Sequence, residues 1–168
     1  MEKWKDVVGY EGLYKISSRG RVLSYGKRKR TTVLRQCKNN FGYMQVKLCK
    51  NSIRKNTYIH RMVGESFIGP SNMFDHRDQN PKNNSLSNIR KCNKSTNGMN
   101  RGKRNGGTSQ YMGVHFHKEN RRWVAQIKGN RTGVSSYIGS FKTEVEAAKA
   151  YNIEAKALHG EFACLNLC

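Results

Sequence analysis

An α+β fold is predicted for this chain, with short antiparallel strands through much of its length and a helix close to its C-terminus. Three observations predict it. Apolar and polar residues alternate in "VVGYEGLYKISSRGRVLSYG" and again in "FGYMQVKLCK", with Gly9, Gly12, Gly20 and Gly26 as breaks, the pattern of half-buried strands. "YMGVHFHKENRRWVAQIKGNRTGVSSYIGSFKT" holds three strand-like runs, Gly113–His117, Trp123–Lys128 and Ser136–Phe141, separated by "KENR" and "GNRTG", which are good turn chemistry. "TEVEAAKAYNIEAKALHG" opens on Thr143 and Glu146 as a capping box and stops at Gly160.

In order along the chain, residues 1–58 read as a small β-rich module. In its second strand Met44, Val46 and Leu48 share one face and Tyr43, Gln45 and Lys47 the other. Residues 59–100 form a second segment. Ile59, Met62, Val63 and Phe67 have roughly helical spacing, "SLSNIRKC" reads as a brief strand, and "NKSTNGMNR" as a helix start capped by Asn93 or Ser95. Residues 101–110, Gly-rich and basic, read as a flexible linker. In the last segment, 111–168, Val145, Ala148, Tyr151, Ala155 and Leu158 make the apolar stripe of the helix. That stripe packs on one face of the three-stranded sheet. The other face is expected to carry Arg121, Arg122, Lys128 and Arg131.

The charge says what this scaffold meets. The 168 residues hold 32 Lys and Arg against 11 Asp and Glu, a formal charge of +21. So basic a chain repels itself unless the charge faces a polyanion, and nucleic acid leads. No apolar run is long enough to span a bilayer, and "MEKWKDVVGY" lacks the apolar core of a signal peptide; a soluble, intracellular protein with no membrane partner is expected. Five cysteines without a close pair give no zinc-ribbon pattern, so structural zinc is not expected. Residues 1–110 hold 24 basic and 6 acidic side chains, and residues 111–168 hold 8 and 5. Phosphate contacts are therefore assigned to Arg28, Lys29 and Arg30 in the "GKRKR" loop and to Arg101, Lys103 and Arg104 in the linker.

Within this basic chain, "FDHRDQNPKNNSLSNIRKCNKSTN" sets Asp75 beside His76 amid a string of amides. An Asx-rich turn is one explanation. Phosphodiester hydrolysis is another. A neutral imidazole suits the removal of a proton from water, and a divalent cation suits the charge on the phosphate and on the leaving oxygen. Asp75 and Asn97 offer hard oxygen ligands, fitting Mg²⁺ or Mn²⁺ better than zinc. Adjacent residues on a strand point to opposite faces, so Asp75 and His76 serve one phosphate only where the strand ends or twists.

"DH" at 75–76, "NNSLSNIR" at 83–90 and Asn97 resemble the ββα-metal core of HNH endonucleases, in the version whose last position is Asn. "IHRMVGESFI" is similar to the helix before this core in phage and group I intron HNH homing endonucleases. "WKDVVGYEGLYKISSRGRVLS" resembles the small NUMOD-like DNA-binding module such enzymes carry. "YMGV", "WVAQI", "YIGSF", "EAAKAY", Gly160 and "LN" at 165–166 are similar to the ethylene-response-factor (APETALA-type) domain of plants.

The resemblance implies His76 as general base and Asp75 and Asn97 as holders of one Mg²⁺, with Mn²⁺ able to substitute. It implies Asn88 as a scaffold amide bridging the two loops of the motif. His60 falls on a family position without an assigned role. In the last segment it implies major-groove readout by Arg121, Arg122, Trp123, Lys128 and Arg131, although Trp123 also suits core packing under the helix. Tyr137 stands where the plant pattern has Trp, and Met112 and His115 where it has Arg, so the bases read do not transfer. The expected protein is a metal-dependent, site-recognising endonuclease on double-stranded DNA, a monomer there without a small-molecule cofactor. If phage-encoded, it works in the cytoplasm or nucleoid of a bacterial host. Its rivals are a non-catalytic DNA-binding regulator and an RNA- or ribosome-binding protein.

Overall fold

The computed structural model describes residues 1–26, 30–103, 106–128 and 134–168. Two compact units divide at Lys94/Ser95, and the fold is α+β throughout. Arg28, Lys29, Arg104 and Arg131, expected to contact DNA, lie outside the described residues.

The first unit opens with four antiparallel strands in sequential order, β1 (Trp4–Asp6), β2 (Tyr14–Ser17), β3 (Val22–Tyr25) and β4 (Thr31–Val33). A second sheet follows with β5 (Cys37–Lys38), β6 (Met44–Lys50) and β7 (Ile53–Tyr58). The alternation read in β6 holds: Val46 and Leu48 are buried and Lys47 is exposed. The "VVGYEG" half of the first alternating run is instead a turn. There Tyr10 N–H donates to the Val7 carbonyl, and Gly9 and Gly12 adopt positive φ. β7 runs directly into α1 (Ile59–Phe67), and β8 (Met73–His76) pairs antiparallel with β9 (Ile89–Cys92).

One apolar core joins these pieces: Val7, Tyr14, Ile16 and Val22, then Val46 and Leu48, then Ile59, Met62 and Val63, then Phe74 and Ile89. The boundary expected at residue 58 therefore falls within a shared core. Gly64 is what lets α1 sit on β8, since a Cβ there would run into the ring of Phe74. That close seat fixes β8, and with it Asp75 and His76, against the helix.

The short helix α2 (Lys94–Met99) follows β9. The second unit contains β10 (Val114–His117), β11 (Arg122–Lys128) and β12 (Ser135–Phe141), antiparallel in that order, and α3 (Glu144–His159). The three strand runs and the helix fall within a residue or two of the sequence reading. The capping box is complete: Thr143 accepts from the Glu146 N–H, and Glu146 accepts from the Thr143 N–H. The buried face of α3 is Ala147, Ala148, Tyr151 and Ala155, set against Val114, Ala125 and Ile127. Val145 and Leu158, expected in the stripe, are 40% and 45% exposed; small alanines let the sheet approach, and both larger side chains lie outside the contact. Gly113, at φ 73°, faces the Tyr151 ring where a Cβ has no room.

The expected linker is docked onto this unit at its end. Ser109 is buried, with its hydroxyl donating to Glu144 Oε1 at 2.6 Å, and the Gln110 N–H donates to the same oxygen at 2.9 Å. The Asn166 side chain both accepts from and donates to the Met112 backbone, tying the C-terminal segment to the start of the sheet.

Candidate active site

β8 ends at His76. The next residues turn back: Gln79 adopts φ 60° and its N–H donates to the His76 carbonyl at 3.0 Å. Asp75 and His76 are both buried, at 9% and 5% exposure. The strand alternation sends them to different partners.

Asp75 lies across from Arg90 in the β8–β9 register. The guanidinium donates from Nη2 at 2.9 Å and Nε at 3.2 Å to Asp75 Oδ2. Both side chains are nearly inaccessible. Such a charge-assisted pair fixes the carboxylate in place, and removing one member strands the other charge in a poorly solvated site.

His76 meets Asn84, with Nε2 and Oδ1 3.1 Å apart. The amide of Asn84 is itself oriented, because its Nδ2 donates to the Lys82 carbonyl at 3.1 Å. Its Oδ1 is thus the atom presented to His76. Asn84 is 5% exposed.

Asn88 holds the loop between the strands. Its Nδ2 donates to Asp78 Oδ1 and to the Asn83 carbonyl, each at 2.8 Å, and its Oδ1 accepts from the Asp78 N–H at 3.0 Å. Burial alone would raise the Asp78 carboxyl, but hydrogen bonds from the Asn83 amide, the Asn80 backbone and the Asn88 amide bring it below its ordinary value. The Asn88 amide thus bridges two segments of the loop.

An aromatic wall surrounds the imidazole. The rings of Tyr43 and His60 lie 6.0 Å and 5.1 Å from that of His76, and Tyr58 stacks on His60 at 5.5 Å. Burial, with the charges of His76 and Arg61 adding to it, pulls His60 down to about 3.

Sequence reasoning singled out Asp75 and His76 but not Arg90 and Asn84, which the structure sets against them. Both stand in the stretch that carries the motif, yet only the strand register and the turn bring them to their targets. Asn97 lies on α2, in the second unit by contact.

Among the described residues no three His, Cys, Asp or Glu side chains converge. The donors on offer are a carboxylate and amide oxygens, a set that fits a hard divalent cation completed by water and phosphate oxygens.

Of the described residues expected on DNA, Arg30, Arg101, Lys103, Arg121 and Lys128 are exposed. Arg122 reaches Ser140, with its Nε to the hydroxyl and its Nη2 to the carbonyl, both at 3.4 Å. Trp123 packs against the core cluster of Ala125 and Ala147 and lies 5.1 Å from the Phe116 ring. The alternation of β11 puts it with Ala125 and Ile127 on the helix side, so core packing is its role and base contact is withdrawn.

The HNH endonuclease family matches residues 57–99, and the NUMOD4 motif matches residues 2–49. The DNA endonuclease I-HmuI of Bacillus phage SP01 is 35% identical over 91 residues, 52% of this chain and 51% of its own. The uncharacterized HNH endonuclease L560 of Acanthamoeba polyphaga mimivirus is 34% identical over 110 residues, 65% and 54% of the two chains. The AP2-like ethylene-responsive transcription factor PLT2 of Arabidopsis thaliana is 42% identical over 60 residues, 36% of this chain and 11% of its own. A solved structure of DNA binding and cleavage by the HNH homing endonuclease I-HmuI matches with a TM-score of 0.53 and 34% identity, over 58% of this chain and 56% of that one. The chain spans about half the length of the two endonuclease relatives.

Proposed function

We propose that this chain, which carries an HNH endonuclease domain behind a NUMOD4 motif, is a divalent-metal-dependent endonuclease that recognises and cuts double-stranded DNA. The observation that carries the reading is the orientation of His76. A buried imidazole at the end of β8 is held by Asn84, which is held in turn by the Lys82 carbonyl. An imidazole in an Asx turn of purely structural use has no need of so fixed an orientation.

In the proposed reaction a water molecule loses a proton to His76 and forms a bond to phosphorus. The bond from phosphorus to the 3′ oxygen breaks, and that oxygen is protonated from solvent. Asp75, steadied by Arg90, would hold the cation. Asn97 is assigned as the second ligand from the last position of the motif alone. When bound, the cation offsets charge on the phosphate and on the leaving oxygen. Mg²⁺ is the expected ion, with Mn²⁺ able to replace it.

Site choice falls to the face of the β10–β11–β12 sheet opposite α3, where Gln126, Lys128 and Tyr137 are exposed beside Arg122. Side chains of this kind read base edges, while the exposed Lys and Arg of the first unit hold phosphates.

The experiment is incubation of supercoiled plasmid and phage-host genomic DNA with the protein in Mg²⁺, Mn²⁺ or chelator. Nicked or linear product that chelator abolishes supports the reading. Binding without cleavage in every metal would make the protein a DNA-binding regulator instead.

A further inference from the structure

His60 is a buried imidazole for which the reading above has no task. It is 9% exposed. Its Nδ1 is sealed from solvent without a hydrogen-bond partner among the described residues. Its Nε2 makes no hydrogen bond there either, but is not sealed. What holds the residue is ring contact: Tyr58 stacked at 5.5 Å, Tyr43 tilted at 5.3 Å and His76 edge-on at 5.1 Å. The backbone is equally fixed, because His60 stands in the first turn of α1 between β7 and the buried Met62 and Val63.

A phenylalanine at this position would make the same three ring contacts. It would also avoid burying Nδ1 without a partner, which costs a folded protein stability. A polar group kept at such a cost, one ring away from a catalytic base, points to a partner that arrives with the substrate.

We propose that neutral His60 donates a hydrogen bond from Nε2–H to a non-bridging oxygen of the scissile phosphate, as a second imidazole of the active site with its own role. This rests on the endonuclease reading. His76 accepts the proton of water, whereas His60 exchanges no proton and steadies the charge that grows on the phosphate. The tautomer follows from the surroundings: Nδ1 is sealed from solvent and has no acceptor among the described residues, so the proton belongs on Nε2. Burial pulls the group down to about 3, with His76 and Arg61 adding to the effect, so at neutral pH it is a donor without net charge. A fixed neutral donor aimed at developing charge needs no reorganisation during the reaction.

The test compares wild-type protein with His60→Phe, His60→Gln and His76→Ala in single-turnover nicking, DNA affinity and thermal melting. His60→Phe is expected to melt at or above the wild-type temperature and to bind DNA equally well. It is expected to cut about 10²–10³-fold more slowly, the usual effect of removing one such donor. His60→Gln keeps an N–H donor and is expected to recover part of the rate. The ¹⁵N imidazole spectrum, recorded in chelator with a short duplex, is expected to show the His60 Nε2 signal moving on binding. His60→Phe cutting at the wild-type rate, His60→Phe melting clearly lower, or a His60 signal indifferent to DNA would each overturn the proposal. Failure of the wild-type protein to cut in Mg²⁺ and Mn²⁺ would overturn the endonuclease reading, while the melting and ¹⁵N measurements would still decide what His60 does.

Discussion

His76 and Asp75 are neighbours in sequence, yet their substitutions should differ in kind. His76→Ala removes the proposed base and its hydrogen bond with Asn84. Cleavage is expected to fall by about 10²–10⁴-fold, with gel-shift affinity on the same duplex nearly unchanged, since a neutral imidazole adds little to phosphate binding. Asp75→Ala breaks the buried pair with Arg90 and should cost about 3–5 kcal/mol of stability as well as activity; chemical denaturation reads the first and nicking the second. His60 should impose a pH dependence on folding. The unfolded chain binds a proton there near 6.5 and the folded chain only near 3, so between these values the unfolded state holds more protons. Stability from this group is full above about 6.5 and falls as pH drops through the window, by up to about 1.4 kcal/mol per pH unit. Melting curves of His60→Phe should therefore show a shallower acid slope than wild type, and parallel slopes would contradict it. At this scale the sequence reveals chemistry but not partnership. "DH" among amides is legible because few other uses need a carboxylate and an imidazole there. Arg90 is not, because it reaches Asp75 only through the antiparallel register of β8 and β9, which no local pattern encodes.

Elements were legible where local chemistry dominates. The capping box of α3 is local, and so the helix start was readable from Thr143 and Glu146. Thr143→Ala should lower stability of the second unit by about 0.5–2 kcal/mol, measurable as a shift in its urea midpoint with the slope unchanged. Where tertiary packing decides, the pattern misled. Val145 and Leu158 have helical spacing but miss the sheet, because the contact is made by small alanines and Tyr151. Trp123 was ambiguous for a similar reason: one aromatic in a basic strand suits either face until the alternation around Ala125 places it. The "VVGYEG" turn was hidden because positive-φ glycines can interrupt a strand or make a turn, and the hydrogen bond from Tyr10 to Val7 is what decides.

Over the whole chain, charge and core are divided in a way that makes one deletion informative. Every residue of the first core cluster lies before Lys94, and those of the other two clusters lie from Val114 onward, so each unit has an apolar interior of its own. Most of the charge excess lies in residues 1–110, with 24 basic and 6 acidic side chains. Truncation after Gly106 keeps that excess, together with Asp75, His76 and Asn97. Counterion release, and with it most non-specific affinity, should survive. What the truncation removes is the sheet of β10, β11 and β12, with Arg122, Gln126 and Lys128. A good bidentate base contact is worth about 1–3 kcal/mol of discrimination, so losing two of them should lower preference for the cognate site by orders of magnitude while basal nicking persists. The measurement is the ratio of cleavage rates on cognate and scrambled duplexes at one salt concentration, for the full chain and for residues 1–106. A ratio common to both proteins would remove site recognition from the second unit and leave it a role in stability or in binding another partner.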